Sequence, residues 1–140
     1  MADDQFRNDR VDGGEIGAGH QVTALYEVVL WKRQARGRLA TVHVRFKEPE
    51  GGRATEVTGS IGTDIFARSF EQASIDFRLA AAAAQFSEIL RHSYWARGER
   101  LDDVYRVVRE LAWETESEQV DELHRMIGQA MRFEDQLAER

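Results

Sequence analysis

The residue types that most often perform catalysis or bind metals are scattered along this sequence of 140 residues. No two of the four histidines have the spacing of metal ligands, and no HExxH motif occurs. They lie in four separate segments, at His20, His43, His92 and His124. The absence of cysteine excludes disulfides, thiolate zinc sites and a cysteine nucleophile. Two acidic groups, Asp102 with Asp103 and the cluster from Glu114 to Glu122, are assigned to helix starts, where the helix dipole favours them without a metal. We therefore predict neither a metal site nor a cofactor.

One group of residues could still form a site between the N-terminal arm and a long helix. His20, Asp76 and Arg78 are its candidate members, for ligand binding or enzymatic chemistry. Asp76 and Arg78 are two positions apart on a predicted helix and so point in different directions. We expect Asp76 to be partly buried on the face of Ala80, Ala83 and Ser87, as a cap or paired with an arginine. Because no partner for acid–base chemistry is visible, we predict a protein that is not an enzyme, with this site as the alternative.

The glycine-rich string at residues 13–19 does not have the features of a phosphate-binding loop. It lacks the Gly-Lys-Ser/Thr ending, and it precedes a predicted strand where a phosphate loop or a dinucleotide fingerprint would precede a helix. No nucleophile elbow or kinase signature is present either.

Charge and hydropathy narrow the range of partners. The chain has 25 acidic and 19 basic residues, a net charge of −6, and its bases are interspersed with acids. Binding to nucleic acid requires a basic face that neutralises phosphates, so we predict no nucleic-acid partner. No apolar run approaches the roughly 20 residues that cross a bilayer, so we predict no direct membrane insertion.

The first part of the chain predicts an antiparallel β-meander of about three strands. Residues 1–20 form a polar, glycine-rich arm, expected to pack on something else. Residues 22–31 are largely apolar on both faces, which predicts a central strand covered on both sides. Residues 39–47 alternate between apolar and polar side chains, and residues 53–61 give a weaker third strand after the turn at residues 48–52.

The second part of the chain has helical periodicity and predicts about three helices. The first runs to His92 and begins at a capping box of Ser69 and Gln72, or at Ser74 with an acid in the first turn. Its alanine run at residues 80–84 predicts burial on more than one side.

Two further helices follow in the prediction. Residues 101–112 carry an apolar stripe, and a capping box of Thr115 and Glu118 opens a last helix. With strands at about residues 21–61 and helices at about residues 69–139, we predict a single α+β domain over residues 21–140.

Four stretches together resemble a known bacterial domain. They are residues 9–20 (DRVDGGEIGAGH), 22–27 (VTALYE), 74–93 and, more weakly, 47–51 (KEPEG). In these stretches the chain resembles the C-terminal domain of unknown function that follows the von Willebrand factor type A domain in YfbK-like bacterial proteins. The resemblance covers roughly residues 5–112.

The resemblance implies that the chain is part of a larger protein. The type A module would lie upstream and bind a divalent cation through an Asp-x-Ser-x-Ser motif, which this chain does not contain. We therefore expect a non-catalytic accessory domain whose partner is that module or another protein. Upstream strands would complete a sheet or sandwich around residues 22–31. The resemblance also implies the cell envelope or periplasm, as part of an exported lipoprotein, with the cytoplasm as the alternative. A homo-oligomer formed through the C-terminal helices is a third hypothesis.

Overall fold

The computed structural model of the chain describes residues 6–8, 14–30 and 37–138. The chain divides into two compact units, Met1–Phe66 and Ala67–Arg140. A two-stranded antiparallel sheet belongs to the first unit and three α-helices belong to the second. The predicted α+β arrangement is confirmed, with two strands rather than about three. The division into an arm at residues 1–20 and a single domain at residues 21–140 stays a prediction.

The two strands form a hairpin with chemically different faces. β1 (Arg38–Phe46) pairs with β2 (Thr55–Gly62), close to the second and third predicted strands. The connecting turn is closed by a hydrogen bond from the amide of Gly51 to the carbonyl of Glu48, at 2.9 Å. Gly51 adopts a φ of 84°, which glycine tolerates without strain. One face carries the apolar pair Val44 and Val57, and the other carries the polar pairs His43 with Thr58 and Arg45 with Glu56.

The prediction of a strand at residues 22–31 is wrong for the isolated chain. Residues 22–30 lie outside any strand, and Trp31 lies outside the described residues. The hairpin provides a physical reason. A strand added to the hairpin would place each of its faces beside one face of the hairpin. Because one hairpin face carries His43, Arg45 and Glu56, one apolar face of the added strand would lie beside these polar and charged side chains.

Three α-helices enclose the buried core of the second unit. They are α1 (Ile75–Leu90), α2 (Leu101–Thr115) and α3 (Glu118–Ala138). Each helix contributes buried apolar side chains to one cluster: Ala82, Phe86, Ile89, Leu101, Val104, Val108, Leu111, Val120 and Ile127. Burying a large apolar side chain completely contributes about 1.5–3 kcal/mol. The packing of α2 against α1 and α3 therefore holds this unit together.

The start of α1 distinguishes the two predicted caps. The Oγ of Ser74 accepts a hydrogen bond from the amide of Phe77 at 3.2 Å, so the cap at Ser74 is confirmed. Ser69 instead precedes a short 3₁₀ helix, Phe70–Gln72, without capping it through its side chain. The helix ends at Leu90, two residues earlier than predicted.

The predicted capping box between α2 and α3 is wrong. Thr115 is the last residue of α2, and its hydroxyl donates a hydrogen bond to the carbonyl of Leu111 at 2.9 Å. The chain then turns at Glu116, which adopts a left-handed φ of 48°. Because Thr115 is still helical and its hydroxyl is engaged, it cannot cap the helix that begins at Glu118.

The alanine run of α1 is more open than predicted. Ala82 is buried in the core, but Ala83 is exposed on the other side of the helix. The helix buries one side, through Ala82 and Phe86, rather than several sides. Asp76 points toward the open face and is exposed, so the prediction of its partial burial is wrong.

Candidate functional site

The three residues of the alternative site lie in different surroundings. His20 is an exposed residue of the first unit, whereas Asp76 and Arg78 belong to α1 of the second. Asp76 is exposed, while Arg78 is only 9% exposed. These two side chains therefore lie on different sides of α1, as their spacing predicts, and do not face a common site.

Arg78 connects α1 to α2. Its Nη1 and Nη2 donate hydrogen bonds to the two carboxylate oxygens of Glu114 at 3.2 and 2.5 Å. Hydrogen bonding to Glu114 raises the pKa of Arg78, and the same bonds lower the pKa of Glu114. The Nε of Arg78 is buried and has no hydrogen-bond partner within the described part of the chain. This bidentate pair indicates a packing role for Arg78 rather than capture of an anionic ligand.

The partnership of Glu114 was missed by the sequence analysis. The sequence predicts that Glu114 belongs to a group of acids at a helix start, but it lies in the last turn of α2. No local pattern connects it to Arg78, because the two residues are 36 positions apart and meet only through helix packing.

His20 closes a turn immediately before residues 22–30. Its amide donates a hydrogen bond to the carbonyl of Gly17 at 3.0 Å, and Gly19 adopts a φ of 79°. A Cβ atom on Gly17 would lie 2.9 Å from the Nδ1 of His20, so a larger residue at position 17 would require the exposed imidazole to move. The glycine and histidine spacing in this stretch therefore has a structural explanation.

The described part of the N-terminal arm contacts the polar face of the hairpin. Arg7 donates hydrogen bonds to both carboxylate oxygens of Glu56, at 3.0 and 2.8 Å. Arg45 donates to the carbonyl of Phe6 at 3.1 Å, and the ring of Phe6 lies edge-on to His43. Hydrogen bonding from Arg7 is the main reason that the pKa of Glu56 falls to about 2. The sequence predicted a packing arm but did not identify these partners.

The other hairpin face and residues 22–30 expose apolar side chains. We call them together the open apolar surface: Val42, Val44, Phe46, Val57 and residues 22–30. Val44 is 51% exposed, and Tyr26 and Val29 are 80% and 89% exposed. Within the described part of the first unit, no apolar side chain is fully buried. A two-stranded hairpin is marginally stable alone and needs more strands or a helix to cover it. The open apolar surface is therefore the candidate binding site.

The described surface also has two shallow depressions. One is lined by residues at the open end of the hairpin, including Gly37 and Asp64, and the other by the first two turns of α3. Neither is lined by His20, Asp76 or Arg78.

The described residues contain neither a metal-binding cluster nor a membrane-spanning helix. No three acidic or histidine side chains there come close enough to hold a metal ion. None of the described helices combines the length and the apolar character needed to cross a membrane.

These features define an α+β protein with a helical core, an arm held on a hairpin and an uncovered apolar surface. The sequence model of the family described as "Uncharacterized protein YfbK, C-terminal" matches residues 1–37 and 30–133. The chain therefore belongs to this family, and the resemblance drawn from the sequence is confirmed.

A curated relative gives the scale of the similarity. The protein named "Uncharacterized protein YfbK" of Escherichia coli (strain K12) is 32% identical over 108 residues. The alignment covers 64% of this chain and 18% of that protein. The chain thus spans less than a fifth of the length of the curated relative it matches. No solved structure matches the chain.

Proposed function

We propose that this chain is a non-catalytic accessory domain that docks on a von Willebrand factor type A module in a YfbK-like bacterial protein. The open apolar surface is the observation that carries the proposal. A surface with this many exposed apolar side chains, on the hairpin and along residues 22–30, favours a protein interface. Their exposure to water costs free energy that docking recovers.

The packing of the candidate polar residues supports a role that is not enzymatic. Arg78 is held by Glu114, and the ring of His20 lies against its own turn. Asp76 lies on the solvent side of α1. Among the described residues, no titratable side chain is hydrogen-bonded to His20 or Asp76, and Arg78 is engaged by Glu114 in a bidentate pair.

Calorimetric titration of the chain with the type A module encoded upstream tests the proposal. We expect saturable binding with a negative heat-capacity change, because apolar surface is buried. Repeating the titration with and without magnesium shows whether the cation state of the module controls docking. The absence of binding under both conditions would refute the proposal.

Two matched substitutions identify the surface that is used. Val44 on the hairpin and Leu90 on α1 are 51% and 52% exposed. We expect Val44→Asp to weaken binding by at least about tenfold, since a carboxylate would lose its water in the interface. Leu90→Asp should leave the affinity within about threefold. Equal effects of the two substitutions would contradict docking through the open apolar surface.

Self-association through the C-terminal helices is a second candidate. Met126 and Phe133 are one heptad apart on α3 and are 49% and 65% exposed, which favours a helix–helix contact. Sedimentation velocity over a range of concentrations tests it, and a monomer at the highest concentration would exclude it.

We further propose the cell envelope as the location of the assembled protein, as part of an exported lipoprotein. This proposal is supported only by the family resemblance. Fractionation of cells that express the full-length protein tests it, and recovery in the cytoplasmic fraction would refute it.

A further inference from the structure

Residues 22–30 have the chemistry of a strand but no sheet to join within the described part of the chain. The segment (VTALYEVVL) is rich in β-branched and aromatic residues, which favour a pleated sheet. Its entry is fixed by the hydrogen-bonded turn from Gly17 to His20. No strand pairing among the described residues involves the segment, and its large apolar side chains are between 43% and 89% exposed. A short, well-anchored segment of this kind is suited to pairing with a sheet edge.

The distribution of side chains on the segment restricts the sheet that it fits. In an extended conformation one face carries Val22, Ala24, Tyr26, Val28 and Leu30. The other face carries Leu25 and Val29 beside Thr23 and Glu27. Strands that are largely apolar on both faces occur in sheets that other layers cover on both sides. The hairpin is not such a sheet, because one of its faces is polar.

We propose that residues 22–30 dock by strand addition to the edge of a sheet that is covered on both faces, in the larger YfbK-like protein. This inference rests on the proposed function and specifies how docking occurs. The rest of the larger protein is the source that we infer for this sheet. The matched part amounts to only 18% of the Escherichia coli relative, so most of such a protein lies outside this chain. The segment gains backbone hydrogen bonds on one side and apolar cover on both faces.

A second copy of the chain is a poorer partner for residues 22–30 than a covered sheet. Two copies of the segment could pair with each other and satisfy part of the backbone. The resulting two-stranded ribbon would still expose both apolar faces to water, and such ribbons are marginally stable. A sheet that already has layers on both sides removes this cost.

Amide hydrogen exchange provides the first test. We compare the 140-residue chain alone with the full-length YfbK-like protein that carries it. Amides of residues 22–30 should exchange at least about a hundredfold more slowly in the full-length protein, because strand pairing protects them. Since only alternate amides of an edge strand face its neighbour, protection should alternate along the segment.

Adjacent proline substitutions provide the second test, in the titration with the type A module. Proline removes a ladder hydrogen bond only where the amide faces the sheet. Val28 and Val29 are adjacent, so only one of their two amides would face the sheet. The proline substitution at that position should weaken binding by at least about tenfold, and the other proline substitution should weaken it less. The controls Val28→Thr and Val29→Thr keep the amide and the β-branched shape, and each should stay closer to wild type than the harmful proline. Circular dichroism should show an unchanged helical unit in all four variants, because every buried member of the core cluster lies on α1, α2 or α3.

The outcomes separate the two proposals. If binding persists but exchange is unchanged and neither proline matters, strand addition is wrong while docking stands. If protection appears in the chain alone and grows with its concentration, a second copy is the occupant and the inference is overturned. If no binding is detected and exchange is equal in both proteins, docking itself has failed.

Discussion

Truncation of Leu111 should destabilise the helical unit severely. Leu111 lies on α2 at 0% exposure, within the cluster shared by the three helices. Replacing it with alanine removes buried methyl and methylene groups and leaves a cavity that the neighbouring helices fill only partly. The expected loss in the free energy of unfolding is about 3–5 kcal/mol. Since a whole domain is stable by only about 5–15 kcal/mol, this is a large part of the total.

Urea denaturation followed by circular dichroism at 222 nm measures this loss. The helices dominate the signal, so the transition reports on the second unit. Leu90→Ala is the matched control, because Leu90 is also a leucine on a helix but is 52% exposed. We expect it to cost less than about 1 kcal/mol. A loss below about 1 kcal/mol for Leu111→Ala, or equal losses for both variants, would refute the assignment of the core.

Three further predictions concern the arm, the link between α1 and α2, and the packing of α3. The pKa of Glu56 is lowered from the usual 4.5 to about 2, so the stabilisation of the arm contact is complete above pH 4.5 and is lost as the pH falls through about 2; an NMR titration of the arm follows it. Arg78→Met should lower the melting temperature more than Arg106→Met, because Arg106 forms only an exposed pair within α2. Gly128→Leu should cost about 1–3 kcal/mol in urea unfolding, since even a Cβ atom there would lie 3.3 Å from the Tyr105 ring.

Each of these predictions has a contrary result. Arm signals that do not change between pH 4.5 and pH 2 would show that the pair with Glu56 does not hold the arm. Equal melting temperatures for the two arginine variants would remove the structural role of Arg78. A Gly128→Leu protein as stable as wild type would mean that α2 and α3 are farther apart at this position than described.

The elements that could be predicted from the sequence are those determined by local patterns. The alternation at residues 39–47 and the turn at residues 48–52 identified the hairpin, and the apolar stripe from Leu101 identified α2. Ser74 was one of two possible caps for α1 because both serines have acceptable local surroundings. The hydrogen bond from the Phe77 amide to the Oγ of Ser74 distinguishes them in the structure.

The parts that could not be predicted depend on distant residues. Whether residues 22–30 form a strand depends on a sheet edge to pair with, which no local pattern supplies. The pair of Arg78 with Glu114 and the pair of Arg7 with Glu56 join residues that are 36 and 49 positions apart. The open apolar surface could be expected from the two apolar faces of residues 22–31. The exposure of Val42, Val44 and Val57 could not be expected, because it depends on the hairpin having no layer over that face.

The unequal distribution of buried side chains has a consequence for the lifetime of the protein in the cell. Every fully buried apolar side chain of the described residues belongs to the helices of the second unit. A protease should therefore cut first within residues 1–66 and leave a resistant helical fragment. Docking as proposed would shield those cleavage points. Molecules of the larger protein in which this part has not docked would then lose it first, so proteolysis would remove incompletely assembled molecules.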